Sequence, residues 1–156
     1  MSECFVMASA VGRLRVVIED GRVTQLDYDT RQALTNTPLS AQAKEIKQQI
    51  ESYLRKPQTH FDIPLDLHGT EFQQRVWRAL QKIPLGQTLT YGQLADKLHS
   101  SARAVGNACR QNPVPLIVPC HRVVAKNGIG GFSGKTRGAP IARKRWLLSH
   151  EGALSA

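Results

Sequence analysis

Cysteine is scarce in this sequence, and the three cysteines that occur, Cys4, Cys109 and Cys120, are widely spaced. An odd number of distant cysteines argues against a disulfide framework and favours a reducing, cytoplasmic compartment. No CxxC pair or histidine cluster has the spacing of a zinc site. We therefore expect neither a structural disulfide nor a metal, and nothing in the sequence indicates another cofactor.

Long apolar runs are also lacking. No stretch approaches the roughly 18 apolar residues that a membrane-spanning helix requires. The first five residues lack the basic-then-apolar order of a signal peptide. A chain of 156 residues with 41% hydrophobic content suits one ordinary domain or two small ones. The sequence predicts a globular protein with no membrane partner.

Acidic residues are scarce in the second half of the chain. Residues 1–67 hold 8 Lys/Arg and 9 Asp/Glu, whereas residues 68–156 hold 13 Lys/Arg and only 3 Asp/Glu, and the whole chain has a net charge of +9. Such an asymmetry indicates a polyanion as the partner of the second half. Charge by itself leaves nucleic acid, an acidic membrane and a plain solvated surface as alternatives.

The first half, residues 1–67, has the pattern of a small sheet with one helix. Two alternating segments flank the turn signal Asp20-Gly21, which predicts a β-hairpin. Ser40 can cap a helix with apolar residues at three- to four-residue spacing, ending at Lys56-Pro57. Residues 61–65 are typical of a short edge strand. No residue of this half has an obvious chemical role.

The second half, residues 68–156, is predicted to be mainly helical. Thr70 can cap a helix that Ile83 to Gly86 would end. Two short helices, 91–98 and 103–110, are separated by a polar turn, as in a helix-turn-helix. Together the two halves predict an α+β protein with a support domain and a mainly helical domain, although many helical hairpins share the pattern of a helix-turn-helix.

The second of these short helices is rich in small residues, at positions 102, 104, 106 and 108. Small side chains allow a close approach, either to a protein core or to a narrow DNA groove in which sequence readout is poor. The long polar side chains that it offers are Arg103, Asn107 and Arg110.

The run Ile117 to Val124, with sequence IVPCHRVV, holds the strongest chemical signal. β-branched residues favour a strand and proline breaks its ladder, so Cys120 is expected at a constrained bend. A thiol beside His121 is a candidate nucleophile with a candidate base. The alternative is a buried structural cysteine. Neighbours on a strand point to opposite faces, so a bridging water is expected between thiol and imidazole.

Several motifs resemble those of the O6-alkylguanine-DNA alkyltransferases, also called methylated-DNA–protein-cysteine methyltransferases. The resemblance covers residues 69–152 and is carried by GTEFQQRVW, YGQLA, RAVG, NP, PCHRV and WLLSHEG, which begin at Gly69, Tyr91, Arg103, Asn112, Pro119 and Trp146. It implies a ribonuclease-H-like N-terminal domain and a winged helix-turn-helix C-terminal domain. The segment between Ser133 and Trp146 is about five residues longer than is usual in the family.

The resemblance also implies an activity. A monomeric protein would bind duplex DNA through the minor groove, rotate out an alkylated guanine, and transfer the alkyl group irreversibly to Cys120, once per molecule. O4-alkylthymine is expected as a second substrate. The catalytic residues implied are Cys120, His121, Glu151 and Asn112. The DNA-binding residues implied are Arg103, Tyr91, Ala102, Ala104, Gly106, Asn107 and Arg110. The substrate pocket implied consists of Tyr91, Val123, Ser133, Gly134 and Arg122.

Three other functions fit part of the pattern. A non-catalytic binder of alkylated DNA would lack the cysteine that this chain has at position 120. A helix-turn-helix regulator with Cys120 as a sensor would usually carry a further effector or dimerisation segment. A cysteine hydrolase would need an oxyanion site, which no motif indicates.

Overall fold

A computed structural model describes residues 2–129 and 138–154 of the protein, so the predicted pocket residues Ser133 and Gly134 lie outside the described part. The chain divides into two compact units, Met1–His68 and Gly69–Ala156. Helices and strands are mixed, in agreement with the α+β prediction. Their order is β1 (Ser2–Met7), β2 (Leu14–Glu19), β3 (Arg22–Asp27), α1 (Ala41–Arg55), α2 (Glu71–Gln81), β4 (Leu89–Thr90), α3 (Tyr91–Leu98), α4 (Ala102–Arg110), a 3₁₀ turn (Cys120–Arg122), β5 (Val123–Val124) and α5 (Ala139–His150).

The first unit is built on an antiparallel sheet in the order β1-β2-β3. The predicted hairpin is confirmed: Asp20 and Gly21 both adopt positive φ, at 50° and 80°, which is the type I′ turn that matches the twist of paired strands. β1 was not predicted. The expected strand at 61–65 is wrong except at one position, since only Leu65 forms a β-bridge, with Val23.

Helix α1 begins and ends where its capping residues dictate. Ser40 accepts a hydrogen bond from the amide of Ala43 and donates to the carboxylate of Glu3, which connects the start of the helix to β1. The buried residues follow a helical period, and the last of them, Tyr53, stacks near Phe61 with ring centroids 5.1 Å apart. The unit thus has its own small core.

The second unit is assembled around Trp77 of α2. Its indole is 1% exposed and donates from Nε1 to the carbonyl of Ala108 in α4 over 2.9 Å. Helices α2 and α3 each start with a capping box, at Thr70 and Thr90. Because Trp77 joins two helices by both packing and a hydrogen bond, it fixes α4 against α2.

The close approach of Gly69 to Trp77 gives a testable prediction. A Cβ at position 69 would lie 2.4 Å from Cη2 of Trp77 and 2.6 Å from Oε1 of Gln73, which caps the start of α2. Gly69→Ala is therefore expected to lower the free energy of unfolding of this unit by about 1–3 kcal/mol, as overpacking does. Urea denaturation followed by tryptophan fluorescence measures it.

Gly128 provides the matched control, because a Cβ there has no neighbour within 4 Å. Gly128→Ala is expected to change the free energy of unfolding by less than about 0.5 kcal/mol. Equal stabilities of the two variants would contradict the packing argument.

The segment that leads to Cys120 differs from the predicted strand. Pro119 adopts φ −81° and ψ 67°, and the amide of Cys120 donates to the carbonyl of Val118 over 2.8 Å, which is an inverse γ-turn. A 3₁₀ turn follows, and only Val123–Val124 pairs as a strand, parallel to β4. The expected bend at Cys120 is present, but the regular strand is absent because Pro119 has no amide hydrogen to donate to a ladder.

None of the helices in the described part of the chain combines the length and the apolar character that crossing a membrane requires.

Candidate active site around Cys120

Cys120 is held at the start of the 3₁₀ turn with its side chain buried and only 7% of its surface exposed. Asn112 fixes the approach to it from the end of α4. Its Nδ2 donates to the carbonyl of Val118 over 2.9 Å, and its Oδ1 accepts from the amide of Val114 over 3.0 Å. The side chain of Asn112 thus holds the backbone at two points of the segment that leads to the thiol, and the nearer point, Val118, is two residues before Cys120.

Some features around Cys120 oppose ionisation of its thiol, and others favour it. Burial raises the pKa of the thiol, because the thiolate would lose hydration. A hydrogen bond from the Asn112 side chain, the positive charge of Lys144 and the cysteine's own amide act in the other direction. The thiol is therefore protonated when the site is at rest, with groups in place that stabilise the thiolate once a base removes the proton.

His121 and Glu151 form a buried pair. Nε2 of His121 lies 2.8 Å from Oε2 of Glu151, and both side chains are fully buried. Because a carboxylate only accepts, Nε2 carries the hydrogen and Nδ1 is left as the basic nitrogen. Nδ1 is buried and has no hydrogen-bond partner among the residues that the structure describes.

Burial is also the main influence on the imidazole of His121. It lowers the pKa of the ring, and the charges of Arg122 and Lys144 act in the same direction, while Glu151 opposes them. The ring is thus neutral near pH 7, which is the form that can accept a proton. A neutral imidazole in the residue that follows a buried thiol has the protonation state that a general base requires.

The side chain of Arg122 is engaged on two sides. Nε and Nη2 contact the two carboxylate oxygens of Glu151, at 2.8 and 3.1 Å, and Nη1 donates to the carbonyl of Ile83 over 2.7 Å. The resemblance placed this arginine in the substrate pocket. Its guanidinium instead binds Glu151 in a bidentate manner and anchors the connection between α2 and β4.

Lys144 of α5 was not anticipated as a site residue. Its side chain is completely buried, and Nζ donates to the carbonyl of Val123 over 2.8 Å and lies 5.7 Å from the centroid of the Tyr91 ring. Burial lowers the pKa of its ammonium group to about 8. Negative charge on the sulfurs of Cys120 and Cys109 acts in the opposite direction and raises that pKa. The predicted pocket residue Val123 thus has its carbonyl bound by a cation.

A signal in the sequence could have identified Lys144. It stands in the basic run Arg143 to Arg145, which suggests a solvated surface. However, it lies three residues after Ile141 and four before Leu148, both buried, and seven before Glu151, so it belongs to the inward face of α5. The helical period therefore predicts that Lys144 is buried, whereas the basic composition of the run predicts that it is exposed.

Tyr91 begins α3 and packs against the backbone of α4. A Cβ at Gly106 would lie 3.9 Å from the Tyr91 ring, so the glycine allows the two helices to approach. Burial raises the pKa of the Tyr91 hydroxyl to about 12, and thiolates at Cys109 and Cys120 would add to the shift. The pKa of Cys109 is also raised to about 12 by burial, so this thiol is inert near neutral pH.

The remaining predicted DNA-binding residues lie on α4. Ala102, Arg103, Asn107 and Arg110 are exposed, and Ala104 is half-buried. Ser101 caps the helix by accepting from the amide of Ala104 over 3.1 Å. Helix α4 thus has one face against Trp77 and Tyr91, and another that presents two arginines and an asparagine to solvent.

Comparison with known proteins agrees with this site. The family model described as the DNA-binding domain of 6-O-methylguanine DNA methyltransferase matches residues 71–153, more than half of the chain. The methylated-DNA–protein-cysteine methyltransferase of Mycobacterium bovis is 48% identical over 106 residues, which cover 66% of this chain. That match spans only 61% of the relative's own length.

Longer matches extend to the first unit. The methylated-DNA–protein-cysteine methyltransferase of Metallosphaera sedula is 36% identical over 150 residues, 94% of this chain and 90% of the relative. The crystal structure of Mycobacterium tuberculosis OGT in complex with DNA is 38% identical, with a TM-score of 0.77, covering 95% of this chain and 91% of that one. The chain belongs to the 6-O-methylguanine DNA methyltransferase family.

Proposed function

We propose that this protein repairs DNA by transferring the alkyl group of O6-alkylguanine to its own Cys120. The observation that carries the proposal is the buried Cys120 thiol followed directly by His121, whose ring is paired with Glu151 at 2.8 Å and whose Nδ1 has no hydrogen-bond partner within residues 2–129 and 138–154. The names of the relatives support it, because they describe transfer of a methyl group from DNA to a protein cysteine.

The reaction needs one proton transfer and one displacement. Nδ1 of His121 accepts the thiol proton through a bridging water, and Glu151 stabilises the imidazolium that forms. The Cys120 sulfur then attacks the alkyl carbon, a carbon–sulfur bond forms, and the bond between that carbon and O6 breaks. The electron pair stays on the guanine, which takes a proton and returns to its normal form. A thioether is not hydrolysed by water, so each molecule reacts once.

Duplex DNA is the proposed partner, with α3 and α4 as the helix-turn-helix. The exposed face of α4 carries Arg103, Asn107 and Arg110 beside Ala102, and Gly106 lets it lie close to Tyr91. A helix with a smooth surface and few long side chains suits the minor groove and deformation of the duplex. The complex of Mycobacterium tuberculosis OGT with DNA supports this partner.

Finer features belong to the same proposal. The alkylated base would be rotated out of the stack into a pocket that includes Tyr91 and the backbone of Val123, and Arg103 would fill the vacated space. O4-alkylthymine as a second substrate, a monomeric state, a cytoplasmic location and the ribonuclease-H-like and winged descriptions of the two units stay predictions.

Mass spectrometry tests the proposed transfer. After incubation with a duplex that contains O6-methylguanine, the peptide with Cys120 is expected to gain one methyl group, at most once per molecule. Cys120→Ala removes the acceptor, whereas Cys4→Ala removes an exposed cysteine and is expected to leave the transfer unchanged. An unmodified Cys120 together with tight binding of the lesion would favour the non-catalytic binder and would falsify the transfer.

A further inference from the structure

We propose that Arg122 is a positioning residue of this site, holding the Glu151 carboxylate in the orientation that turns the imidazole of His121 with Nε2 towards the carboxylate and Nδ1 away from it. The inference rests on the proposed alkyl transfer, and it assigns to Arg122 a role through Glu151 and not through the substrate. It follows from the contacts of one guanidinium group with two fixed partners.

The geometry restricts the Glu151 carboxylate from both sides. Both of its oxygens are bound by Arg122, at 2.8 and 3.1 Å, and the oxygen at 3.1 Å also accepts from Nε2 of His121. A planar guanidinium that binds in this bidentate manner fixes the plane of the carboxylate. The direction from which the imidazole must donate is fixed with it, and so is the direction in which Nδ1 points.

The third guanidinium contact makes this arrangement rigid. Nη1 of Arg122 donates to the carbonyl of Ile83, whose own side chain is buried. Arg122 therefore cannot turn towards a ligand without giving up its bonds to a backbone carbonyl and to a buried carboxylate. A guanidinium group bound to two partners in this way can orient those partners, but it is poorly placed to contact a substrate.

Charge gives Arg122 a second effect on the same ring. The charged groups that act on the imidazole are Lys144 of α5, Glu151 at the end of that helix, and Arg122 itself. Helix α2 also packs against the 3₁₀ turn, and its buried residues, Val76, Trp77 and Leu80, are apolar. Burial and the two cations lower the pKa of His121, and only Glu151 raises it. Loss of the arginine removes one of the two cations, so protonation of the ring becomes easier.

A titration of His121 in Arg122→Gln tests the proposal without DNA. The imidazole resonances of the intact protein, followed by NMR from pH 5 to pH 8, are expected to titrate at higher pH in the variant than in the unaltered protein. The rate of methyl transfer to Cys120 is measured over the same range. The ratio of the rate at pH 6 to that at pH 8 is expected to be lower in the variant than in the unaltered protein, since protonated His121 cannot accept the thiol proton.

Arg122→Lys is the second variant, because it keeps the cation but cannot bind both carboxylate oxygens and Ile83 together. In Arg122→Lys, His121 is expected to titrate as it does in the unaltered protein, and the rate of methyl transfer is expected to lie between those of Arg122→Gln and the unaltered protein. A merely structural arginine would slow transfer equally at all pH values and leave the His121 titration in place, and that result in Arg122→Gln overturns the inference. Absence of methyl transfer in the unaltered protein would overturn the proposed function, while a shifted His121 titration in Arg122→Gln would still support the positioning role.

Discussion

Replacement of Lys144 by methionine is expected to slow alkylation of Cys120 about tenfold at pH 7. The buried ammonium group is one of the influences that lower the pKa of the thiol, and methionine keeps the volume but removes the charge. An opposite charge close to an ionisable group typically favours the charged form by about one pKa unit or more, and each unit changes the charged fraction about tenfold. The rate of reaction with iodoacetamide measures this without DNA, and the rate of methyl transfer measures it with DNA.

The pH dependence of this effect has a definite sign. Because the pKa of Lys144 is lowered to about 8, the side chain is charged below that pH and neutral above it. The difference between Lys144→Met and the unaltered protein is therefore expected to be largest below pH 8 and to shrink above it. Lys126→Met makes the same change at an exposed position and is expected to leave the iodoacetamide reaction unchanged. Equal iodoacetamide rates for Lys144→Met and Lys126→Met at pH 7 would contradict the role of the buried charge.

Glu151→Gln is expected to lower the free energy of unfolding of the second unit by about 3 kcal/mol or more. The change leaves Arg122, whose side chain is 14% exposed, without its counter-charge and weakens the bond to a fully buried His121. Removal of one partner of a buried ion pair typically costs about 3–5 kcal/mol. Urea denaturation measures the loss, and both tryptophans, Trp77 and Trp146, lie in this unit and report on it.

Two further variants isolate the cause of that loss. Glu45→Gln makes the same substitution on the exposed surface of α1 and is expected to change stability by less than about 0.5 kcal/mol. Glu151→Gln in an Arg122→Gln background is expected to lose less stability than in the unaltered protein, since the uncompensated cation is gone. If the loss of unfolding free energy in the double variant equalled the sum of the losses in the two single variants, Arg122 and Glu151 would contribute to stability independently of each other.

Local rules predicted much of the fold because the relevant signals are local. Asp20-Gly21 can adopt the two positive φ angles of the hairpin turn, and Ser40 and Thr70 satisfy the first amides of their helices. The strand expected at residues 61–65 failed because alternation alone does not supply a neighbouring strand. β1 was missed for the converse reason, since pairing with β2 stabilises it.

The sequence allowed Cys120, His121 and Glu151 to be predicted as members of the candidate site, but it allowed neither their contacts nor Lys144 to be predicted. The sequence placed Cys120 and His121 together by adjacency, and the resemblance added Glu151. Neither could show that Arg122 binds both carboxylate oxygens of Glu151, or that Lys144 lies inside, because both facts depend on how α5 returns to the 3₁₀ turn. Contacts between residues 20 to 30 positions apart are set by packing, which no local pattern encodes.

Helix α5 brings two opposite charges to the site from one rigid body, Lys144 and, at its end, Glu151. Seven residues correspond to nearly two helical turns, so the two side chains share a face about 10 Å apart along the axis. An insertion between them would turn the carboxylate by about 100° per added residue and separate it from His121. Residues added before the helix would leave the spacing between Lys144 and Glu151 unchanged. Length variation is therefore compatible with this chemistry on the N-terminal side of Lys144 and incompatible with it between Lys144 and Glu151.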